Sequence, residues 1–262
     1  MSPMSGQHHQ SDPRILNRRT LERDHRDLAA MIRPGMSILD IGCGTGSITE
    51  GMAQKTGPSG QVTGLDRDER LLSEAIARYR ACSSLRFQVG DAISMVFAGQ
   101  FDIVTAARTL QWIDRPTLAL ERMKAALRAG GVAVVLDYDH ADNSWEPAPP
   151  AAFTQFYRAF LDWREAHQWS NRIASQLPDL MRAAGFGEIQ VLTSDEVVDR
   201  SDQTEGRHLW SNVIQSLGPT LVEAGYISND QLETAAADYR EWLEVSFERQ
   251  VLVMRTVIGG MR

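Results

Sequence analysis

Cysteine is almost missing from the chain: Cys43 and Cys82 are the only two among 262 residues, and they form no C-x-x-C pair. That excludes a disulfide framework and a structural zinc site, and it suits a reducing, cytoplasmic compartment. Long apolar runs are missing too. No stretch approaches the ~18 consecutive apolar residues of a membrane span, and the N-terminus lacks a basic start followed by an apolar core, so neither membrane insertion nor secretion is expected. Positive charge is in deficit: 27 Lys and Arg face 34 Asp and Glu, a net charge of -7, which argues against a broad nucleic-acid surface. The exception is local. Arg14, Arg18, Arg19, Arg23, Arg26 and Arg33 crowd the first segment, where Glu22, Asp24 and Asp27 offset them as on a solvated helix face. No internal repeat or low-complexity tract breaks the pattern.

What the chain does have is an apolar fraction of 43% and length enough for one large α/β domain. Residues 1–11 are polar and are expected to form a disordered tail, with residues 12–262 as a single domain. The organising stretch is Ile38-Leu39-Asp40-Ile41-Gly42-Cys43-Gly44-Thr45-Gly46. It reads as a buried strand, a tight turn and the start of a helix, and glycine at such a turn permits unusual backbone angles and close approach of a ligand. The spacing is G-x-G-x-G. A dinucleotide fingerprint needs a third glycine where Ser47 stands, and no Gly-Lys-Ser/Thr follows as in a P-loop. Asp40 would repel a pyrophosphate but attract a cationic, zwitterionic ligand.

The chain around this stretch alternates strands and helices. Residues 12–32 read as a helix ended by Pro34-Gly35, and strands follow at 36–41, 62–65, 85–89, 101–107 and 132–136. Helices are expected from residues 45, 67 and 116, and Ala129-Gly130-Gly131 reads as a turn. This order gives a parallel sheet covered on both faces, with ligands bound beyond the carboxyl ends of the strands. Asp40, Asp66, Asp91 and Arg108 all fall at such ends. Asp66 lies where a carboxylate can accept both hydrogen bonds of a ribose diol, or else cap the next helix.

Together these segments resemble the class I S-adenosylmethionine-dependent methyltransferases over residues 36 to 137. Ile38 to Gly46 is similar to that family's motif I, Gly64-Leu65-Asp66 to motif II, Gly90-Asp91-Ala92 to motif III, Phe101-Asp102-Ile103-Val104 to motif IV, and residues 127–135 to its Gly-Gly-bearing motif. The resemblance implies a Rossmann-like α/β fold of seven mostly parallel strands with helices on both faces and the last strand antiparallel. S-adenosylmethionine would be the cofactor and S-adenosylhomocysteine the product. By the same resemblance Asp40, Gly42, Cys43, Gly44 and Gly46 would sit against the methionine moiety, Asp66 would bind the ribose, and Asp91 and Ala92 the adenine. Arg67 would flank that ring and Arg108 would line the sulfonium side.

Residues 187–193 and 250–258 can supply the two remaining strands, leaving two insertions, about 141–172 and 204–247, that read as an α-helical cap over the carboxyl edge. Phe153, Phe156, Tyr157, Phe160 and Leu161 follow helical spacing in the first. That stripe reads mainly as core, with Phe153, Tyr157 and the nearby Trp112 as candidate pocket walls. The second carries a Gly218-Pro219 break and a capping box at Ser228 and Gln231.

Methyl transfer from a sulfonium is an in-line displacement, so positioning in a dry pocket supplies much of the catalysis. Should the acceptor have to lose a proton, His140 is the best-placed base, with Tyr138 beside it. Arg18 or Arg19 can fold over the cofactor. Asp137, Asp139 and Asp142 permit a magnesium site but read as ordinary turn acids, so no metal is expected. The function this supports is methyl transfer to O, N or C of a small molecule by a monomer or homodimer. The alternatives are an RNA methyltransferase using the Arg-rich first segment, or a catalytically inactive partner subunit that keeps the cofactor.

Overall fold

The protein, described here as a computed structural model, is defined over residues 11–202 and 205–261. The expected disordered tail lies outside those residues except for Ser11. Strands β1 (Ser37–Ile41), β2 (Gln61–Asp66), β3 (Leu85–Val89), β4 (Phe101–Ala107) and β5 (Leu127–Tyr138) are parallel and lie in the order β3-β2-β1-β4-β5. Three short strands, β6 (Ser144–Glu146), β8 (Glu196–Asp199) and β9 (Arg249–Leu252), make a separate antiparallel sheet. Strand β7 (Gly187–Thr193) closes the large sheet, with β10 (Met254–Gly260) inserted antiparallel between it and β5. The result is the seven-stranded, Rossmann-like mixed sheet that the resemblance implied.

Successive residues of the central strands serve opposite faces, as the two-residue period of a strand requires. Ile38, Ile103 and Val134 join a core with Leu28, Met52 and Val62, whereas Leu39, Val104 and Val135 join the one that contains Leu120, Met123 and Leu177. Helices α4 (Ser47–Thr56), α5 (Glu69–Tyr79), α6 (Pro116–Ala126) and α8 (Ile173–Ala183) flank the sheet. A third core is rich in aromatic side chains. It joins α7 (Ala151–Ala166), α9 (Leu209–Glu223) and α10 (Asn229–Val245) through Phe153, Phe156, Trp210, Tyr239 and Trp242.

Several local expectations change. The first segment is three short helices, α1 (Pro13–Leu16), α2 (Leu21–Asp24) and α3 (Arg26–Met31), because side chains compete for its backbone. The Thr20 hydroxyl accepts from the Arg23 N–H at 3.3 Å, the Asp24 carboxylate accepts from the Thr20 N–H at 2.8 Å, and His25 leaves helical geometry to reach Thr105 at 2.9 Å. The expected turn at residues 129–131 lies within β5, where Gly130 has φ +76° and the pairing with β4 shifts register. The expected strand 250–258 is two strands, interrupted at Val253, whose N–H donates to Asn143 Oδ1 at 2.8 Å.

Gly218-Pro219 does not break a helix, since α9 runs through both residues. A Cβ at Gly218 would stand 2.3 Å from Leu232 of α10, so this glycine permits close helix packing. The capping box at Ser228 and Gln231 does open α10. The two insertions are also not wholly helical, because β6 and β8 lie in or beside them and anchor them to β9.

Candidate active site

All three loop glycines take left-handed backbone angles, with φ +71° at Gly42, +54° at Gly44 and +77° at Gly46, a region that strains residues bearing a Cβ. The loop is stitched to the end of β2. Gly42 and Cys43 donate their N–H groups to the Leu65 carbonyl at 2.7 and 3.2 Å, and the Gly44 N–H donates to Asp66 Oδ2 at 2.7 Å. The other Asp66 oxygen accepts from the Asp68 N–H at 2.9 Å. Capping of α5 falls to Asp68 instead, whose Oδ1 accepts from the N–H groups of Arg70 and Leu71 at 2.9 and 3.3 Å. At the end of β3, Asp91 Oδ1 accepts from the Ile93 N–H at 2.9 Å. The Asp66 and Asp91 carboxylates each keep lone pairs beyond these bonds.

These strand ends open on one cavity. Gly42, Gly44, Asp66, Arg67, Asp91, Ala92, Arg108, Trp112, Tyr138 and His140 line it, and Phe160, Leu209 and Trp210 close it from the insertions and Leu252 from β9. Asp40, Cys43, Gly46, Phe153 and Tyr157 are not on its wall. Asp40 sits behind the loop, 4% exposed, and accepts the Thr49 hydroxyl at 2.7 Å. Burial pushes its pKa up to about 7, with the Thr49 hydrogen bond opposing and the Asp66 charge adding to the shift. Burial also pushes the Cys43 thiol up. Phe153 is core, its ring stacked 4.2 Å from that of Tyr239. Tyr157 acts one layer back, donating to the His140 carbonyl at 2.5 Å and accepting from Asn143 at 3.0 Å.

The glycines also make room for the protein itself. A Cβ at Gly42 would lie 2.3 Å from the Thr109 hydroxyl, one at Gly44 would lie 2.8 Å from Leu16, and one at Gly46 would lie 2.7 Å from Phe87.

The opposite end of the cavity is built on β4 and β5. Arg108, with φ +57°, donates from Nε to the Tyr138 hydroxyl at 2.8 Å and from a terminal nitrogen to the Asp24 carbonyl at 2.9 Å. Its charge is balanced by the carboxylates of Asp24 and Glu196 at 3.9 and 3.7 Å. His140 is stacked against Tyr138 with ring centroids 5.0 Å apart, and its Nε2 lies 2.6 Å from Gln111 Oε1. The Gln111 amide nitrogen donates to the Arg108 carbonyl at 3.2 Å. That fixes the amide, so His140 carries its proton on Nε2 and a lone pair on Nδ1. Among the described residues Nδ1 has no partner. Burial, reinforced by the Arg164 charge, holds the His140 pKa well below the usual histidine value, so the ring is neutral near pH 7.

The three acids near His140 diverge. Asp137 is not a turn acid but lies buried in β5, where its carboxylate accepts from the Gln111 N–H at 3.1 Å, and burial pushes its pKa up to about 6. Asp139 accepts from the Ser175 N–H at 3.1 Å, and Asp142 pairs with Arg172. Sequence reasoning missed Gln111, Asn143, Phe160 and Trp210 as wall residues. The only available signals were the aromatic stripe for Phe160 and the apolar face of α9 for Trp210.

Comparison with known proteins agrees with this architecture. The sequence model of the family described as "Methyltransferase domain" matches residues 32–182, more than half of the chain. A demethylmenaquinone methyltransferase of Staphylococcus carnosus is 29% identical over 61% of this chain and 71% of its own length. A trans-aconitate 2-methyltransferase of Deinococcus radiodurans is 36% identical over 54% of this chain and 55% of its own. Among solved structures, Bacillus subtilis YcgJ superposes with a TM-score of 0.57 at 17% identity, over 91% of this chain and 99% of YcgJ. A phosphoethanolamine N-methyltransferase 2 of Haemonchus contortus, solved with S-adenosylhomocysteine, superposes with a TM-score of 0.56 at 16% identity; the match spans 89% of this chain but about half (52%) of that protein. At these identities the superpositions establish the fold, and the family match establishes the rest: the chain belongs to the S-adenosylmethionine-dependent methyltransferase-domain family.

Proposed function

We propose that this enzyme transfers a methyl group from S-adenosylmethionine to O, N or C of a small molecule seated under the cap. The observation that carries the reading is the convergence of the glycine loop, Asp66 and Asp91, from three separate strand ends, on one cavity. In this reading the free lone pairs of Asp66 accept from the ribose hydroxyls. Asp91 takes the adenine amino group, with Ala92 and Arg67 against the ring. Gly42 and Gly44 pass the methionine portion, while Asp40, Cys43 and Gly46 act from behind by charge and shape. The names of the two curated relatives, which act on demethylmenaquinone and trans-aconitate, support a small organic acceptor. The aromatic roof supports an acceptor with an apolar body, buried away from water.

The cofactor supplies a sulfonium methyl group. On the acceptor side the Tyr138 hydroxyl, which accepts from Arg108, is left with its own proton to donate, and His140 is a neutral ring whose Nδ1 lone pair is buried and unpartnered among the described residues. Trp112 and Trp210 frame that end, whereas Phe153 and Tyr157 support it from the core. We place the enzyme in the cytoplasm, as a monomer or homodimer formed of one methyltransferase domain over residues 12–262. Its two cysteines are free, and no helix among the described residues is long and apolar enough to cross a membrane. Isothermal titration with S-adenosylmethionine, S-adenosylhomocysteine and NAD tests the reading. The first two should bind and NAD should not, and folded protein that binds neither of the first two overturns it.

A further inference from the structure

The aromatic wall at the acceptor end of the cavity has a cation behind it. Arg164 of α7 has no exposed surface, and its guanidinium lies over two rings that line the cavity, 4.3 Å from the centre of Trp112 and 5.4 Å from that of Phe160. Its hydrogen bonds go to neutral oxygens: Asn171 Oδ1 at 2.8 Å and the Gln111 and Ser170 carbonyls at 3.0 and 3.1 Å. Nη1 has no partner, and the guanidinium forms no ion pair among the described residues. Burial lowers its pKa to about 10, with the charges of Asp137 and Tyr157 opposing, so Arg164 stays cationic at pH 7. Its field reaches the cavity wall, where it adds to the effect of burial on His140.

An aromatic ring is negative on its faces and positive at its edge, which is what draws a cation over it. In low-dielectric surroundings the cation in turn polarises the ring and drains its π-density. A second ring rich in π-electrons then packs against it more favourably, whereas a ligand cation loses the attraction an unpolarised indole would offer. Trp112 is half-buried, and its exposed remainder borders the cavity. No carboxylate offsets the effect: the acids that line the cavity, Asp12, Asp66, Asp68 and Asp91, belong to the cofactor end, and among the described residues none lines the acceptor end. The Tyr138 hydroxyl has a proton to offer an oxygen of the ligand. We propose that Trp112, with the Arg164 cation behind it, is a stacking platform that selects an uncharged, electron-rich aromatic acceptor of the phenol type and rejects cationic amines. The inference rests on the methyltransferase reading above and narrows its acceptor.

The test is isothermal titration of the S-adenosylhomocysteine-bound protein, near neutral pH, with 4-propylphenol, its saturated counterpart 4-propylcyclohexanol, and the cation 4-propylbenzylammonium. Wild type should bind the phenol at least about threefold more tightly than the cyclohexanol, the gain expected of one stacked ring pair, and should bind the ammonium most weakly. Trp112→Leu should erase the preference for the ring. Arg164→Gln should narrow the gap between phenol and ammonium, and Arg164→Lys, which keeps the charge, should restore it. The proposal is overturned if wild type binds none of the three probes, if it binds the cyclohexanol or the ammonium as tightly as the phenol, or if the ring preference survives in Trp112→Leu. Equal weakening of all three probes in both Arg164 variants also overturns it, since that is the mark of a merely structural arginine. Should Arg164→Gln fail to fold, the wild-type ranking and Trp112→Leu decide. Wild-type protein that does not bind S-adenosylhomocysteine refutes the cofactor reading itself, and the acceptor assignment falls with it.

Discussion

Asp40 offers the most quantitative test of the site, because its carboxyl is fully enclosed yet lies one residue from the cavity wall. Its pKa of about 7 in the folded protein compares with 3.8 for a free aspartate. Between those two values the folded state holds a proton that the unfolded state has lost, so stability falls as pH rises and levels off above pH 7. At ~1.4 kcal/mol per unit, the cost to the fold is about 2 kcal/mol at pH 5.5 and about 4 kcal/mol at pH 8. Asp40→Asn removes the charge and keeps a partner for the Thr49 hydroxyl. Denaturant unfolding of both proteins at the two pH values should therefore show the variant's relative stability improving by about 2 kcal/mol from pH 5.5 to pH 8. An identical difference at both pH values would refute a buried carboxyl with a raised pKa. A cationic ligand should reverse the penalty, so wild-type affinity for S-adenosylmethionine should rise between pH 6 and pH 8, and the variant's should not.

Two further substitutions divide the cavity into its ends. Asp66→Ala should weaken S-adenosylhomocysteine binding by on the order of 2 kcal/mol, from lost ribose hydrogen bonds and a loosened Gly44 loop; titration showing unchanged affinity would remove Asp66 from the site. His140→Ala should reduce turnover while leaving cofactor affinity nearly intact, and undiminished turnover would make the residue purely structural. Because burial keeps His140 neutral well below pH 6.5, the wild-type profile of kcat/KM should show no acidic limb near that value. A limb there would mean the ring is open to solvent.

The strand ends were legible because the parallel sheet does the placing: a residue at the carboxyl end of an apolar run must arrive at the same edge as its counterparts. Asp66 and Asp91 arrived there on that basis alone. That Asp40 lies behind the wall was not legible because every residue from Ile38 to Ile41 is buried, and an all-buried strand carries no alternation from which to read which side chain meets the cavity. The glycine loop was legible as a turn, whereas the side chains that fill its open space, from Thr109, Leu16 and Phe87, come from three distant segments. The short sheet of β6, β9 and β8 escaped for a similar reason. Its strands are three or four residues long and separated by up to about a hundred, too short for periodicity to speak.

The acceptor end was least legible, because its geometry depends on a relay that begins in the cap. Arg164 of α7 is fully buried and donates to the carbonyls of Gln111 and Ser170 at 3.0 and 3.1 Å, with its guanidinium 4.3 Å from the centre of the Trp112 ring. It thereby holds the turn Leu110–Trp112 in place, and Asp137 holds the same turn from β5 through the Gln111 N–H. Gln111 then fixes which nitrogen of His140 is bare. The Arg164 charge also contributes to keeping that ring neutral. The seating of α7 and the environment of the cavity histidine are thus linked through one buried cation, which adds to the effect of burial on that ring, so a change in the cap that moved Arg164 would alter His140 without touching the cavity wall.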